Sequence, residues 1–392
     1  MSAPPPPAPP EPLFTPRFFV MCTFTFTVFL SAFQLLPTAP FRILDLGGTT
    51  FAAGLFLGLL TYASAFSAPF TGALADRMGK RSMLIVCSLV IAAFSLAYAL
   101  STSYRLPLAI VFFHGIFWSG LLSASSAYMT DVIPESRRAE GIGYWGISSM
   151  LAVAVAPGVG LWVYQHGWGW LCAATGGLNL VMTAIASRLP ETAVAARRSR
   201  ERLLSANLLE WRVLRLSLTL FLYSFGHGGV TSFVALYADA HHITPKGVFF
   251  TAFALTVIAS RLLLGSVVDR VGHRRVILPS LVVIVIGFAG LPFATTRARM
   301  IAAAVVYGLG LGNAYPAYAA YVTRHVDPGR RGAAFGAIIA AFDTGIGTGS
   351  IVMGGIIQRF GFSAAFAFAA ALSALAIPYF VRAERRFLAR PA

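Results

Sequence analysis

Two ionisable residues of this 392-residue chain stand inside long apolar stretches, Asp343 in "AAFDTGIGTG" and Arg261 in "ASRLLLGSVV". On insertion scales such a residue costs about 2.5–3.5 kcal/mol at the centre of a bilayer, so it is kept for a task. A carboxylate that exchanges an apolar surrounding for an arginine partner gains and loses a proton as the pair breaks and forms. Asp343 follows Arg331 by 12 residues, roughly 18 Å along a helix. Arg261 precedes Asp269 by 8 residues, roughly 12 Å from the same surface. A long arginine side chain spans that difference in depth. Asp343 and Arg261 are therefore expected to form either a structural ion pair or a proton-coupling pair that opens during a working cycle.

A second pattern occurs twice. "GALADRMGKR" (72–81) sets Gly72, Asp76, Arg77, Gly79, Lys80 and Arg81 between apolar runs, and "GSVVDRVGHR" (265–274) repeats it with Gly265, Asp269, Arg270 and Gly272. An aspartate where a helix ends can accept hydrogen bonds from the free N–H groups of a neighbouring helix start and complement its dipole. Gly72 lets two helices approach closely, and Gly79 permits a sharp turn. The basic residues have Asp131, Glu135 and Glu140 as available partners, close to Arg137. Positive charge alone would serve as a topology signal, but that requires neither the aspartates nor the glycines at fixed spacing.

The elements that carry these residues follow from composition. Apolar residues make up 57% of the chain and charged ones 11%, against about 25% charged in a soluble domain. Mean hydropathy is +0.74. The chain is a polytopic membrane protein. Its net charge of +16 does not mark a nucleic-acid binder, because the basic residues fall in short clusters between apolar runs instead of on one solvated face. Cys22, Cys87 and Cys172 lie in apolar runs without ligand spacing and read as small buried hydrophobes. The Pro-rich start "MSAPPPPAPPEP" reads as an extended, disordered tail without the features of a cleaved signal peptide.

A span needs about 20 mostly apolar residues. Twelve are expected: roughly 18–38, 50–73, 82–102, 106–130, 139–163, 168–188, 213–237, 247–268, 276–296, 300–323, 332–356 and 362–382. The domains expected are a tail (1–16), a six-helix bundle (17–188), a polar basic linker (189–212), a second six-helix bundle (213–383) and a tail (384–392). With the N-terminus inside, 23 basic residues fall on the cytoplasmic side and 6 on the other. The positive-inside rule then puts both termini in the cytoplasm. One offset of 193 carries Gly72 to Gly265, Asp76 to Asp269, Tyr128 to Tyr321, Arg137 to Arg330 and Gly143 to Gly336. The chain reads as a tandem duplication of a six-span unit, with the halves parallel.

With these residues in view, "GALADRMGKR" resembles the loop signature between the second and third spans of the major facilitator superfamily, and "GSVVDRVGHR" its weaker echo between spans eight and nine. The resemblance covers about residues 17 to 385. "AVAVAPGVG" (152–160) is similar to the fifth-span antiporter motif, with Ala152 and Ala156 in place of two glycines. "SRLLLGSVVDRVGHRR" and "AAFDTGIGTG" resemble the bacterial sugar- and drug-efflux branch. Val111 stands where many proton-coupled members carry an arginine, and the first span has no acidic residue. Both depart from the commonest coupling scheme.

The resemblance implies an all-α membrane fold with two pseudo-symmetric bundles, in which paired charges lock the cytoplasmic side when the cavity faces outward. It also implies that spans 1, 4, 7 and 10 line that cavity. Gln34, His114, Trp118, Tyr144, Tyr223, His227, Asn313 and Tyr315 are then the candidates for substrate contact, with Trp145 and Tyr318 nearby. Many of these aromatics are equally suited to packing between helices. Aromatics with few fixed charges fit an amphipathic or weakly polar solute and not a phosphate ester, which calls for several cavity arginines. The function expected is a secondary active transporter, in the inner membrane of a bacterium, exporting a small organic solute in exchange for protons. An importer or facilitator without antiport is the alternative. No phosphate-binding loop, H-x(4)-D or H-E-x(2)-H occurs, so neither ATP coupling within the chain nor an enzyme is expected. No cofactor or metal is expected, the proton gradient being the energy source. The partners expected are the solute and the lipid bilayer, with no nucleic acid and the chain a monomer.

Overall fold

The computed structural model describes residues 12–191, 210–327 and 330–388, apart from the side chains at 139, 264–270, 331 and 332. Twelve α-helices cover nearly all of them: α1 (Pro16–Leu35), α2 (Ala39–Asp45), α3 (Thr50–Met78), α4 (Lys80–Ala99), α5 (Arg105–Val132), α6 (Arg138–Tyr164), α7 (Trp168–Arg188), α8 (Trp211–Ala240), α9 (Val248–Val271), α10 (His273–Gly290), α11 (Arg297–Arg324) and α12 (Arg331–Leu388). No strand occurs among the described residues. Local chemistry sets the ends. Thr15, Thr49 and Thr296 accept hydrogen bonds from Phe18 N, Ala52 N and Arg299 N at the starts of α1, α3 and α11. Gly79 and Gly272 hold φ of +91° and +95° between α3 and α4 and between α9 and α10, a conformation in which a side chain would clash. They are 193 residues apart and do the same work.

Nine helical segments among the described residues are long and apolar enough to cross a membrane. Three differences separate that count from the twelve spans expected. Helix α8 carries Arg212, Arg215, His227 and several hydroxyls, and is not among the nine. The stretch Val248–Leu263 of α9 is apolar but short. Helix α12 counts once, although Gly361, at φ +81°, breaks it into two helices. Helix α12 also runs on to Leu388, past the expected bundle boundary at 383. The Pro-rich tail to residue 11 and most of the expected linker, 192–209, lie outside the described residues.

Helices before residue 191 pack mainly on one another, α3 on α5, α4 on α5 and α7, and α1 on α6 and α7. Those after residue 210 do the same, α8 on α12, α9 on α11, and α10 on α11 and α12. The contacts repeat under the 193 offset. A Cβ on Gly115 would meet Leu60 O at 2.3 Å, and one on Gly308 would meet Phe253 O at 2.9 Å; both members of the pair move by the offset. Between the two groups the main packings are α3 on α12 and α6 on α9.

Candidate functional site

The two groups are joined at the end of the molecule opposite the chain termini. On α3 and α12, Thr50 Oγ1 donates to Gly354 O at 2.9 Å, Ser350 Oγ donates to Gly54 O at 2.8 Å, and Tyr62 and Thr348 share a hydroxyl hydrogen bond of 2.6 Å. A Cβ on Gly54 would lie 2.3 Å from Ser350 O, so the backbones meet there only because no side chain intervenes. The second seam, α6 with α9, is the same contact moved along the chain. Gly247 lies against Pro157 and Gly158, and Thr251 Oγ1 donates to Ala154 O at 2.9 Å. Gly54 with Ser350 maps onto Gly247 with Pro157, and Gly58 with Gly347 onto Thr251 with Ala154. A two-fold relation thus holds at the level of individual contacts.

At the terminus-bearing end the same faces part. Along α3 the line Gly54, Gly58, Tyr62 continues at four-residue spacing through Phe66, Phe70, Leu74 and Met78, one face of a helix. All four are exposed, Phe66 at 75%. Helix α12 mirrors it, with exposed Ile339 and Phe335 beyond its joined stretch. Gly72, Gly143 and Gly336 have open space where a Cβ would stand. No hydrogen bond or ion pair crosses between the two groups at this end among the described residues.

Asp343 occupies the point of divergence. It lies one helical turn from Gly347, whose absent side chain makes room for Thr61 and Tyr62 of α3. Beyond it, Ile339 and Phe335 of α12 are exposed. The carboxyl is half-buried and accepts no hydrogen bond from any described residue. Around it stand Phe342, with Tyr315 at 5.1 Å, Tyr223 at 6.1 Å and His227 at 6.3 Å between ring centroids. Tyr223 is fully buried, and its hydroxyl has no partner among the described residues. His227 shares a 2.9 Å hydrogen bond with Tyr307, and His114, which the offset maps onto Tyr307, one with Tyr98 at 3.2 Å. Both histidines are thus satisfied inside their own half. Gln34, which the offset maps onto His227, is buried with its side-chain oxygen unpartnered among the described residues. Trp118 packs on Phe29 and Asn313 donates to Leu309 O of its own helix. Tyr144 sits away from this cluster, exposed beside Phe14.

The expected pairing of Arg261 with Asp343 does not occur in this conformation. Arg261 Nε donates instead to Gly312 O at 3.3 Å. The reason lies four residues on. Pro316 interrupts α11 and has no N–H, so the carbonyl of Gly312 loses its helical donor. Arg261 supplies the missing one.

A model of the "Major Facilitator Superfamily" matches the chain twice, over residues 19–251 and 216–391. The chain belongs to this superfamily. It is 27% identical over 369 residues to an uncharacterized MFS-type transporter of Burkholderia mallei (strain SAVP1), covering 91% of this chain and 89% of the relative. A second uncharacterized MFS-type transporter, from Methanocaldococcus jannaschii, is 23% identical over 385 residues, with 94% and 98% covered. Among solved structures, the nucleoside transporter NupG superposes with a TM-score of 0.76 at 16% identity, covering 95% of this chain and 100% of that one. The human organic anion transporter MFSD10 (TETRAN) gives 0.68 at 18%, with 94% and 100% covered. These likenesses establish the fold. Like its relatives, the protein is a membrane transporter and not an enzyme.

The superfamily signature forms a clasp within each half. Lys80 Nζ pairs with Asp131, Arg81 NH2 donates to Ser187 O at 2.6 Å, and Arg137 makes a two-bond pair with Glu140 at 2.8 and 2.9 Å. Arg138 reaches Glu135 at 3.6 Å. Arg77 is exposed, and Asp76 has no partner among the described residues. The side chains of Asp269 and Arg270, and the surroundings of Gly265, lie outside them. Sequence reasoning missed Glu191. Its carboxylate lies against Gly79, where a Cβ would stand 2.8 Å away, and accepts from Arg81 N at 3.2 Å. The offset carries Glu191 to Glu384, which is 2% exposed and holds Arg274 Nε at 2.8 Å and Tyr321 OH at 2.7 Å. Extending the 193 shift into the linker and the tail would have found both.

Proposed function

We propose that this superfamily member is a secondary active transporter with twelve spans in two six-helix halves, which rock about a central site to expose it to each side in turn. The observation that carries the reading is the pair of symmetric seams at one end, set against matching glycines that face open space at the other. Continuing the register of Thr50 with Gly354 and Gly54 with Ser350 toward the other end brings Gly72 to within about a turn of Gly336. Closure there would use the small residues as Gly54 is used now. With both termini cytoplasmic, as the distribution of basic residues supports, the present conformation is open to the cytoplasm.

The solute is a small organic molecule seated against Tyr223, Tyr315 and Phe342. Asp343, at the point where the halves diverge, is the group that binds the coupling proton, and the direction is efflux in exchange for protons. Arg261 holds α11 in shape beside it. The test is flux in proteoliposomes under an imposed pH gradient, with candidate solutes chosen by thermal stabilisation of the purified protein. Antiport predicts solute accumulation on the side that is acidic. Accumulation on the alkaline side would mark a symporter, and flux indifferent to the gradient a facilitator.

Asp76→Asn is expected to lower transport several-fold while leaving insertion and expression intact. Asp76 is spare in this conformation, so its charge acts in the other one, on the dipole of a helix start. Asp269→Asn should be milder. Wild-type flux in both variants would reduce the clusters to topology signals.

A further inference from the structure

The 193 offset relates one wall of two cavities at the terminus-bearing end, Tyr128, Asp131 and Val132 in one and Tyr321, Arg324 and His325 in the other, and the two walls differ in charge. The first, about 370 Å³, is lined by Tyr128, Asp131 and Val132 together with Thr15, Pro16 and Arg17. The second, about 290 Å³, is lined by Tyr321, Arg324 and His325 together with His273, Arg274 and Arg275. In the first half Asp131 neutralises Lys80. At the equivalent place in the second half both members of that pair have changed, Lys80 to His273 and the acid to Arg324, while Val132 has become His325 and Ser82 has become Arg275. Arg274 is fixed by Glu384, which also accepts from Tyr321 OH. His325 Nδ1 donates to Tyr321 O at 2.8 Å. Neither Arg275 nor Arg324 has a carboxylate within ion-pair distance among the described residues.

We infer that this second cavity binds the phosphodiester headgroup of an anionic phospholipid. A topology signal needs positive charge near the membrane surface, but it needs no cleft between helix ends and no arginine in place of the acid of the first copy. Arginine is the side chain suited to a phosphate, with a planar fork of donors that matches its oxygens. The cavity lies where α9 and α11 end and α10 begins, beyond the apolar lengths of these helices, and basic pockets between helices in such a place take anionic lipids. The cytoplasmic placement rests on the orientation given under Proposed function; the binding itself does not.

The experiment uses the whole protein purified in a neutral maltoside detergent, with no transport step, so its outcome is separate from that of the transport reading. Dioleoylphosphatidylglycerol is compared with dioleoylphosphatidylcholine and with inorganic phosphate, by melting temperature and by lipid retained in native mass spectrometry. Phosphatidylglycerol is expected to be retained and to raise the melting temperature, whereas phosphatidylcholine and phosphate do neither. The variant Arg275→Ser/Arg324→Asp restores the residues of the first copy at these two positions. Taking each unit of charge removed as about fivefold in affinity, it should weaken phosphatidylglycerol roughly a hundredfold. Arg275→Ser alone, on an exposed side chain, should lose about fivefold. Equal retention of the two lipids, or undiminished phosphatidylglycerol binding in both variants, overturns the site. Stabilisation by inorganic phosphate equal to that by phosphatidylglycerol overturns the assignment to lipid.

Discussion

Proteoliposomes carrying Asp343→Asn are expected to exchange solute down its gradient but to build no gradient of their own, with pH-driven accumulation falling at least tenfold to background. Asn keeps the shape and hydrogen-bonding capacity of the side chain and loses the carboxylate that is proposed to take the proton. Asp343 sits one turn past the sealed contact at Gly347, so a rocking motion that closes the exposed ends of α3 and α12 would cover it from the other side. On the proposed mechanism its position would couple proton access to the conformational change. The same substitution removes a charge whose burial costs about 2.5–3.5 kcal/mol on insertion scales. The variant should then melt no lower than the wild type, which separates lost coupling from lost folding. If it still concentrates solute against the gradient, coupling lies elsewhere.

Much of the architecture was legible because the bilayer leaves the chain few options. Apolar runs of span length must be helices, and a 193-residue offset in glycines and aspartates told of a repeated unit. Span counting blurred where the helices do something other than face lipid. Helix α8 carries polar side chains on its buried face, Ser217, Thr219, Tyr223 and Ser224 among them, because that face packs on protein and needs no wholly apolar surface. The break at Gly361 depends on one positive φ, which composition does not record. The site was harder to read than the fold. Depth along a helix placed Arg261 and Asp343 near enough to pair, yet depth carries no information on which way a side chain turns. The signal that decided the matter was present in the sequence: a proline inside a helix always leaves one carbonyl without its donor. Glu191 and Glu384 were hidden for a different reason. They lie in segments that read as linker and tail, where spacing is not expected to be meaningful.

The role of Arg261 leads to the second large effect. Arg261→Ala should destabilise the protein by about 1–3 kcal/mol, the cost of leaving a buried carbonyl unpaired, and the loss should appear as a lower melting temperature in detergent. The sequence alone pointed to Asp343 as the partner, in which case Asp343→Asn would rescue the loss by removing a stranded charge. The geometry points to Pro316. Replacing it by alanine restores an N–H four residues after Gly312, and the carbonyl no longer needs the guanidinium. In a Pro316→Ala background, Arg261→Ala should therefore cost close to nothing, a coupling of about 1–3 kcal/mol between residues that do not touch directly. The cycle with Asp343→Asn should show near-additive effects in this conformation. An Arg261→Ala cost that is unchanged by Pro316→Ala but relieved by Asp343→Asn would return Arg261 to the carboxylate, and would mean that the pair forms in the state the protein prefers in solution.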